Sequence, residues 1–388
     1  MSGIFNVRGI WWRHYIPILI LNAVLLLPQS RRAFIYMGWR WAYVFSLSLA
    51  LSFCLTPLFR WLSHRLGILD RPDARKNHQE ATPLLGGAAV FGAFLAAIMI
   101  NGIYSPKLGA IMTASCLLFV IGLVDDVKEI SAKIKLAAQI ICAVLVMSFG
   151  VVLRVIPDYL GIFSQVGNVT LTLFWLIGIT NAMNFFDGMD GMAAGLGVII
   201  SFFLGVVAFQ THQPFLGWIA VAMMGSCIGF LPYNLLKKGR ATIFLGDGGS
   251  TVIGFILASV AVYGEWAEGS SVKALASPLL IFWVLIFDMV HITVDRILSG
   301  KVANFREWID YVGKDHLHHR LAVVLGGQRK SVFFIYLMSI CLGASAVVLR
   351  NARPVDALLL LAQAAGLMVL ITIMERRGRS IIRDGEQH

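Results

Sequence analysis

Charge is scarce in this chain. Asp, Glu, Lys and Arg make up only 14% of its 388 residues, while 58% are apolar; a soluble domain carries about 25% charged and 45–50% apolar residues. The shortfall excludes a soluble enzyme, and so much apolar surface excludes a disordered chain. Cysteine is scarce as well. Cys54, Cys116, Cys142, Cys227 and Cys341 all fall inside apolar runs with no CxxC or CxxH spacing. That excludes a disulfide framework and a cysteine metal site. Internal repeats and low-complexity tracts are missing, and no small-x-small cleavage site follows the first apolar run, residues 16–28. What is left is an all-α polytopic integral membrane protein.

A span needs about 20 mostly apolar residues. Eleven such runs are read near 41–62, 84–104, 107–124, 134–153, 170–186, 192–209, 214–235, 248–264, 275–295, 331–350 and 354–374. The short run at 16–28 is expected to lie in the interface, with an extra short N-terminal helix as the alternative. The organisation expected is an N-terminal extension over 1–40, one transmembrane catalytic domain over 41–374 and a basic tail over 375–388. The net charge of +11 points to loops facing anionic lipid rather than to nucleic acid. With the first full span running inward, the inside segments hold 22 Lys and Arg and the outside loops after residue 62 hold five. This bias puts the C-terminus in the cytoplasm. Arg31, Arg32 and Arg40 fall on the wrong side of the scheme.

The inside connections carry nearly all the polar chemistry. Asp125 and Asp126 end an apolar run, where two carboxylates repel each other and the negative end of the helix dipole, so a cation would relieve both. Asn181, Asn184, Asp187 and Asp190 follow in NAMNFFDGMDG; the two amides share a helix face, and amides at membrane depth favour a polar cavity. Asp247 sits in FLGDGGS, a glycine-rich turn into a helix N-terminus that suits an anion and offers a hard oxygen ligand. His316, His318, His319 and Arg320 lie in DHLHHR. No HExxH frame and no nearby Cys supports zinc there, whereas imidazole and guanidinium donate hydrogen bonds to phosphate. Lys76 and His78 belong to a basic run, RKNH, which by itself suits anionic lipid, and Gly86-Gly87 permits close packing at a span entry. Asp288, His291 and Asp295 share one face of the ninth span and read equally well as bracing or as function. Acids, amides and basic groups gathered on one face suit a phosphorylated substrate held with Mg²⁺ at the membrane surface. A transporter is the competing class, but transporters tend to show inverted repeats and midplane breaks.

The ordered set DRPDARKNH…TPLLGG, GLVDD, NAMNFFDGMDG, FLGDGGS and DHLHHRL resembles the polyprenyl-phosphate N-acetylhexosamine-1-phosphate transferases over about residues 41–350. It looks most like the branch that starts O-antigen, enterobacterial common antigen or teichoic acid linkage-unit synthesis. The related phospho-MurNAc-pentapeptide translocases show three consecutive His where this chain has HLHH.

The resemblance implies a bacterial inner-membrane enzyme with a cytoplasmic active site. In it a polyprenyl (undecaprenyl) phosphate attacks the β-phosphorus of a UDP-N-acetylhexosamine, UDP-GlcNAc foremost, and UMP leaves. Asp247 and Asn184 then match the Mg²⁺ ligands, with Mn²⁺ as substitute; Phe244 the ring that stacks on uracil; and Asp190 the residue that meets its edge. Asp125, supported by Asp126, matches the acid acting on the lipid phosphate. His316, His318 and His319 match the group that binds pyrophosphate and sugar. Lys76, His78, Asn181, Asp187, Arg306 and Arg320 complete the candidate substrate contacts. A two-step route through an aspartyl-phosphate and a homodimeric assembly stay open.

Overall fold

The computed structural model describes residues 10–71, 81–235, 240–266, 271–302, 304, 307, 313, 315–349 and 353–385. Fifteen α-helices are found among them: α1 Ile10–Leu26, α2 Pro28–Tyr36, α3 Arg40–Leu66, α4 Gly86–Ile100, α5 Pro106–Val127, α6 Ala132–Ser148, α7 Ile162–Phe185, α8 Met192–Gln210, α9 Pro214–Asn234, α10 Gly246–Tyr263, α11 Ser271–Ile281, α12 Trp283–Leu298, α13 Leu317–Val324, α14 Gln328–Val348 and α15 Pro354–Gly385. The helical class read from the sequence holds. One two-residue antiparallel ladder, Leu69–Asp70 with Thr82–Pro83, is added to it.

Every expected run is helical. Eight helices are long and apolar enough to cross a membrane alone, or up to ten if each of two bent pairs counts once. The expected eleven exceeds this because α4 has 15 residues and α6 has 17. Both nonetheless run between the same two ends of the bundle as their neighbours. At the start of α4, Gly86 N donates to Phe244 O at 3.0 Å; at its far end, Asn101 O accepts from Arg40. The ninth run is not straight. It breaks into α11 and α12 at an angle of 76°, with Pro278 removing a backbone donor four residues before the break at Phe282.

The run at 16–28 does not lie flat. Tyr15 Oη donates to Cys54 O at 3.0 Å, Asn22 Nδ2 to Ala50 O at 2.8 Å, and Tyr43 Oη to Leu25 O at 2.7 Å. These pairs lay α1 antiparallel along α3, and the chain then turns by 74° into α2. Of the three arginines on the wrong side, Arg31 and Arg40 also gain an account. Arg31 and Arg40 both donate to Asn101 O, at 3.2 and 2.5 Å, and the Arg40 guanidinium lies 4.0 Å over the Trp218 ring. Two of them therefore neutralise the negative end of α4.

Helix α10 is the axis of the bundle, with 89% of its apolar window buried. Small residues let its neighbours reach it: a Cβ on Gly122 of α5 would collide with the Gly248 backbone, and one on Gly87 of α4 with Gly249. The N-terminus of α10 is thus fixed by backbone contact where α4 and α5 meet.

Candidate active site

The free N–H groups at the start of α10 need acceptors. Asp126, at the end of α5, supplies them: its oxygens accept from Asp247 N at 2.8 Å and Gly248 N at 3.4 Å. The turn before them needs glycine, since Gly246 has φ +79° and a Cβ there would lie 2.6 Å from Leu84 O. Asp126 is therefore a cap delivered by a neighbouring helix, and it sets the position of Asp247.

Asp125 faces the other way. One of its oxygens accepts from Ile130 N at 2.8 Å, and the other pairs with the Lys135 ammonium of α6. The same ammonium lies 2.9 Å from Asp247 Oδ2. Asp247 Oδ1 accepts from Asn184 Nδ2 at 3.2 Å, and that amide also donates to Ser250 Oγ at 2.9 Å. Two carboxylates from two helix ends thus share one cation, the relief that their position demands. Asp187 makes no hydrogen bond to a described residue and lies in the field of Asp247, Asp126 and Asp190.

The two amides of the NAMN segment part company. Asn181 forms a reciprocal pair with Gln139 of α6, at 2.7 and 3.1 Å, and so braces α6 on α7, whereas Asn184 reaches the acids. Asp190 Oδ2 accepts from Ala241 N at 2.9 Å, and Asn234 ties Gly191 N to Ile243 O. Both hold the segment carrying Phe244, whose backbone is fixed between Pro83 O and Gly86 N and whose side chain is half-buried.

A histidine layer packs on the other side of NFFDG. The His316 ring lies 4.8 Å from Phe185, His318 lies 5.2 Å from Phe186, and His318 and His319 are 4.2 Å apart. Asp288 of α12 takes His316 Nδ1 at 2.8 Å, and Arg296 grips Asp315 through two bonds of 2.8 and 2.7 Å. Burial alone would raise the Asp315 carboxyl; the Arg296 guanidinium overcomes it and holds the group below its ordinary value. His318 is fully buried, and neither ring nitrogen is bonded to a described residue. Burial, then the neighbouring His319, His316 and Arg320, holds it well below the usual imidazole range, hence neutral. Arg320 turns away from the acids, toward His291 Nδ1 at 3.0 Å and Glu375 of α15 at 3.5 Å.

Of the residues expected from sequence, Lys76, His78 and Arg306 lie outside the described residues. Lys135, Gln139, Asn234, Arg296 and Glu375 were not singled out. Lys135 and Gln139 share a face at i, i+4 just after the acid pair, a usable signal. Among the described residues no three His, Cys, Asp or Glu side chains are grouped to hold a metal ion. The acids still suit Mg²⁺, which takes one or two carboxylates and completes its shell with water and substrate phosphate, and the Lys135 ammonium marks where a cation sits between Asp125 and Asp247. Asn184 presents its amide nitrogen to Asp247, so in this arrangement it orients a ligand. A cavity of about 520 Å³ at the opposite end is lined by Lys107, Arg154, Trp175 and Tyr263 among others, with Glu265 as its one carboxylate.

The glycosyl transferase family 4 model matches residues 108–265, the stretch that contains Asp125, Asn184 and Asp247. A probable undecaprenyl-phosphate N-acetylglucosaminyl 1-phosphate transferase from Bacillus subtilis is 32% identical over 312 residues, covering 79% of this chain and 84% of that protein. The chain belongs to glycosyl transferase family 4. Two further family relatives agree in coverage. A decaprenyl-phosphate N-acetylglucosaminephosphotransferase from Mycobacterium leprae is 32% identical, covering 84% of this chain and 89% of its own. An undecaprenyl-phosphate alpha-N-acetylglucosaminyl 1-phosphate transferase from Escherichia coli K12 is 29% identical, covering 76% and 81%. This family 4 chain is a multi-pass membrane protein, and its acids, amides and imidazoles meet at one end of the bundle.

Proposed function

We propose that this family 4 protein transfers N-acetylglucosamine-1-phosphate from UDP-GlcNAc to a polyprenyl phosphate in the bacterial inner membrane, on the cytoplasmic face. A lipid phosphate oxygen forms a bond to the β-phosphorus, the bond from that phosphorus to the UMP oxygen breaks, and UMP leaves with the electron pair. The observation that carries the reading is the Asp125–Lys135–Asp247 bridge. It is a cation-centred pair of carboxylates at the end of a membrane bundle, where a lipid headgroup and a nucleotide can both arrive. The names of the three relatives support the donor sugar and the lipid class. The 22-to-5 charge bias supports the cytoplasmic face.

When bound, Mg²⁺ supplies neutralisation and alignment of the pyrophosphate oxygens, which phosphoryl transfer needs more than covalent help. Asp125 and Asp247 are the carboxylates that would hold it, and Asn184 orients Asp247. Because a phosphate monoester is mostly dianionic at pH 7, Asp125 is asked to orient the nucleophile more than to deprotonate it. Asp126 acts through the backbone of Asp247. Phe244 is the ring that would stack on uracil, and Asp190 shapes the segment that bears it.

The test is UMP release by detergent-solubilised protein. Release is expected only with UDP-GlcNAc, polyprenyl phosphate and Mg²⁺ together, and is expected to stop on chelation. Release without the lipid, or none with all three, overturns the reading. A panel of UDP-sugars then fixes the hexosamine.

A further inference from the structure

Asp288 lies in the histidine layer, not in the acid cluster, and its side chain is entirely buried. Both of its oxygens are engaged: Oδ1 accepts from Leu317 N at 2.7 Å, and Oδ2 meets His316 Nδ1 at 2.8 Å. Leu317 N is a backbone donor at the start of α13, so Oδ1 is committed as an acceptor. A carboxylate at Oδ2 then requires the proton of the imidazole on Nδ1. The other ring nitrogen, Nε2, makes no hydrogen bond to a described residue. The ring packs on Phe185, the immediate neighbour of Asn184, which is bonded to Asp247. Two turns further along α12, the Arg296–Asp315 pair grips the residue before His316. One helix thus fixes the ring on both sides.

We propose that Asp288 is the positioning residue of His316: it holds the proton on Nδ1 and leaves Nε2 as the atom offered to the phosphoryl groups. This rests on the transferase reading given above. An imidazole held by a carboxylate on one nitrogen is oriented, fixed in one tautomer, and balanced in charge when its other nitrogen takes a proton. The substrate class served is the pyrophosphate of the nucleotide sugar, whose charge lies next to the acid cluster.

Asp288→Asn tests this with almost no change of shape. Leu317 N still demands an oxygen, so the amide must present its NH₂ to His316 Nδ1 and force the proton onto Nε2. UMP release is expected to fall about tenfold or more in kcat, with the melting temperature near that of the wild type. The same substitution in a His316→Asn background is expected to cost nothing further, because Asp288 acts through that ring; independent structural roles would multiply instead. Asp288→Glu keeps a carboxylate and is expected to recover part of the lost kcat, which also serves if Asp288→Asn folds poorly. Wild-type kcat in Asp288→Asn while His316→Asn is impaired overturns the proposal and leaves the transferase reading standing. Losses that multiply in the double variant overturn it too. A wild type that releases no UMP overturns the transferase reading, and this proposal with it.

Discussion

The acid cluster and the histidine layer face the same segment, NFFDG, yet are built by different means. The acid cluster stands on the ends of four helices, with Asp125 and Asp126 on α5, Lys135 on α6, Asn184 on α7 and Asp247 on α10, and backbone contacts set their spacing: Gly122 against Gly248, Gly87 against Gly249. The imidazoles stand on or beside the eight-residue α13, and side chains hold them: Asp288 on His316, Arg296 on Asp315, Glu375 on Arg320. Like charges that must stay close need a frame that cannot yield. The imidazoles are hung from side-chain pairs instead. Single substitutions should therefore damage the two regions in different ways.

The largest effect is expected in the acids. Asp247→Asn should lower turnover by more than a hundredfold, since an amide is a poorer ligand for a hard cation; near-normal UMP release at ordinary Mg²⁺ would remove Asp247 from the metal. Asp125→Asn should cut kcat by about a hundredfold while calorimetry with Mg²⁺ shows little change in UDP-GlcNAc affinity. Lost nucleotide binding in a folded variant would place Asp125 in the nucleotide site instead. Next comes the frame. Gly122→Ala forces a methyl against the Gly248 backbone and should cost about 1–3 kcal/mol, read as a fall in melting temperature together with activity. An unchanged melting temperature would show that the frame yields after all.

In the histidine layer the effects should separate. Asp315→Asn should lower kcat/KM about tenfold through misplacement of His316 with little change in the melting temperature of the bundle. The smallest effect concerns pH. His318 stays neutral in the fold, whereas an unfolded His takes a proton near pH 6.5. Below that pH the unfolded state binds the extra proton, so stability falls as pH falls. The wild type should lose more melting temperature between pH 7 and pH 5 than His318→Asn does, and equal slopes would count against a neutral buried ring.

Much of this was legible because polar residues stand out in an apolar chain. GLVDD, NAMNFFDGMDG, FLGDGGS and DHLHHR could be found by their chemistry, and helix ends put them on one face. The division of labour within each motif was not legible. Asp125 and Asp126 are neighbours in sequence, but a helix turns about 100° between them, and only the packing shows that Asp126 faces the start of α10. Asn181 and Asn184 share a face, yet one meets α6 and the other α10. Lys135 hid among three lysines, and Glu375 finds Arg320 across 55 positions, a pairing no local pattern encodes. Arg31 and Arg40 contradicted the charge rule because it counts loop charges without asking which are engaged by a helix end.

The antiparallel course of α1 along α3 makes the number of passes among the described residues even. With α11 and α12 taken as one bent pass, twelve passes alternate between the two ends of the bundle, and the last reaches the polar end where Glu375 meets Arg320. That even count groups the described helices into six hairpins, all opening toward the same side. Under the proposed orientation, only the turns at the far end have to be carried through the bilayer during synthesis. The connections around the acids, amides and imidazoles stay in the compartment where they were made.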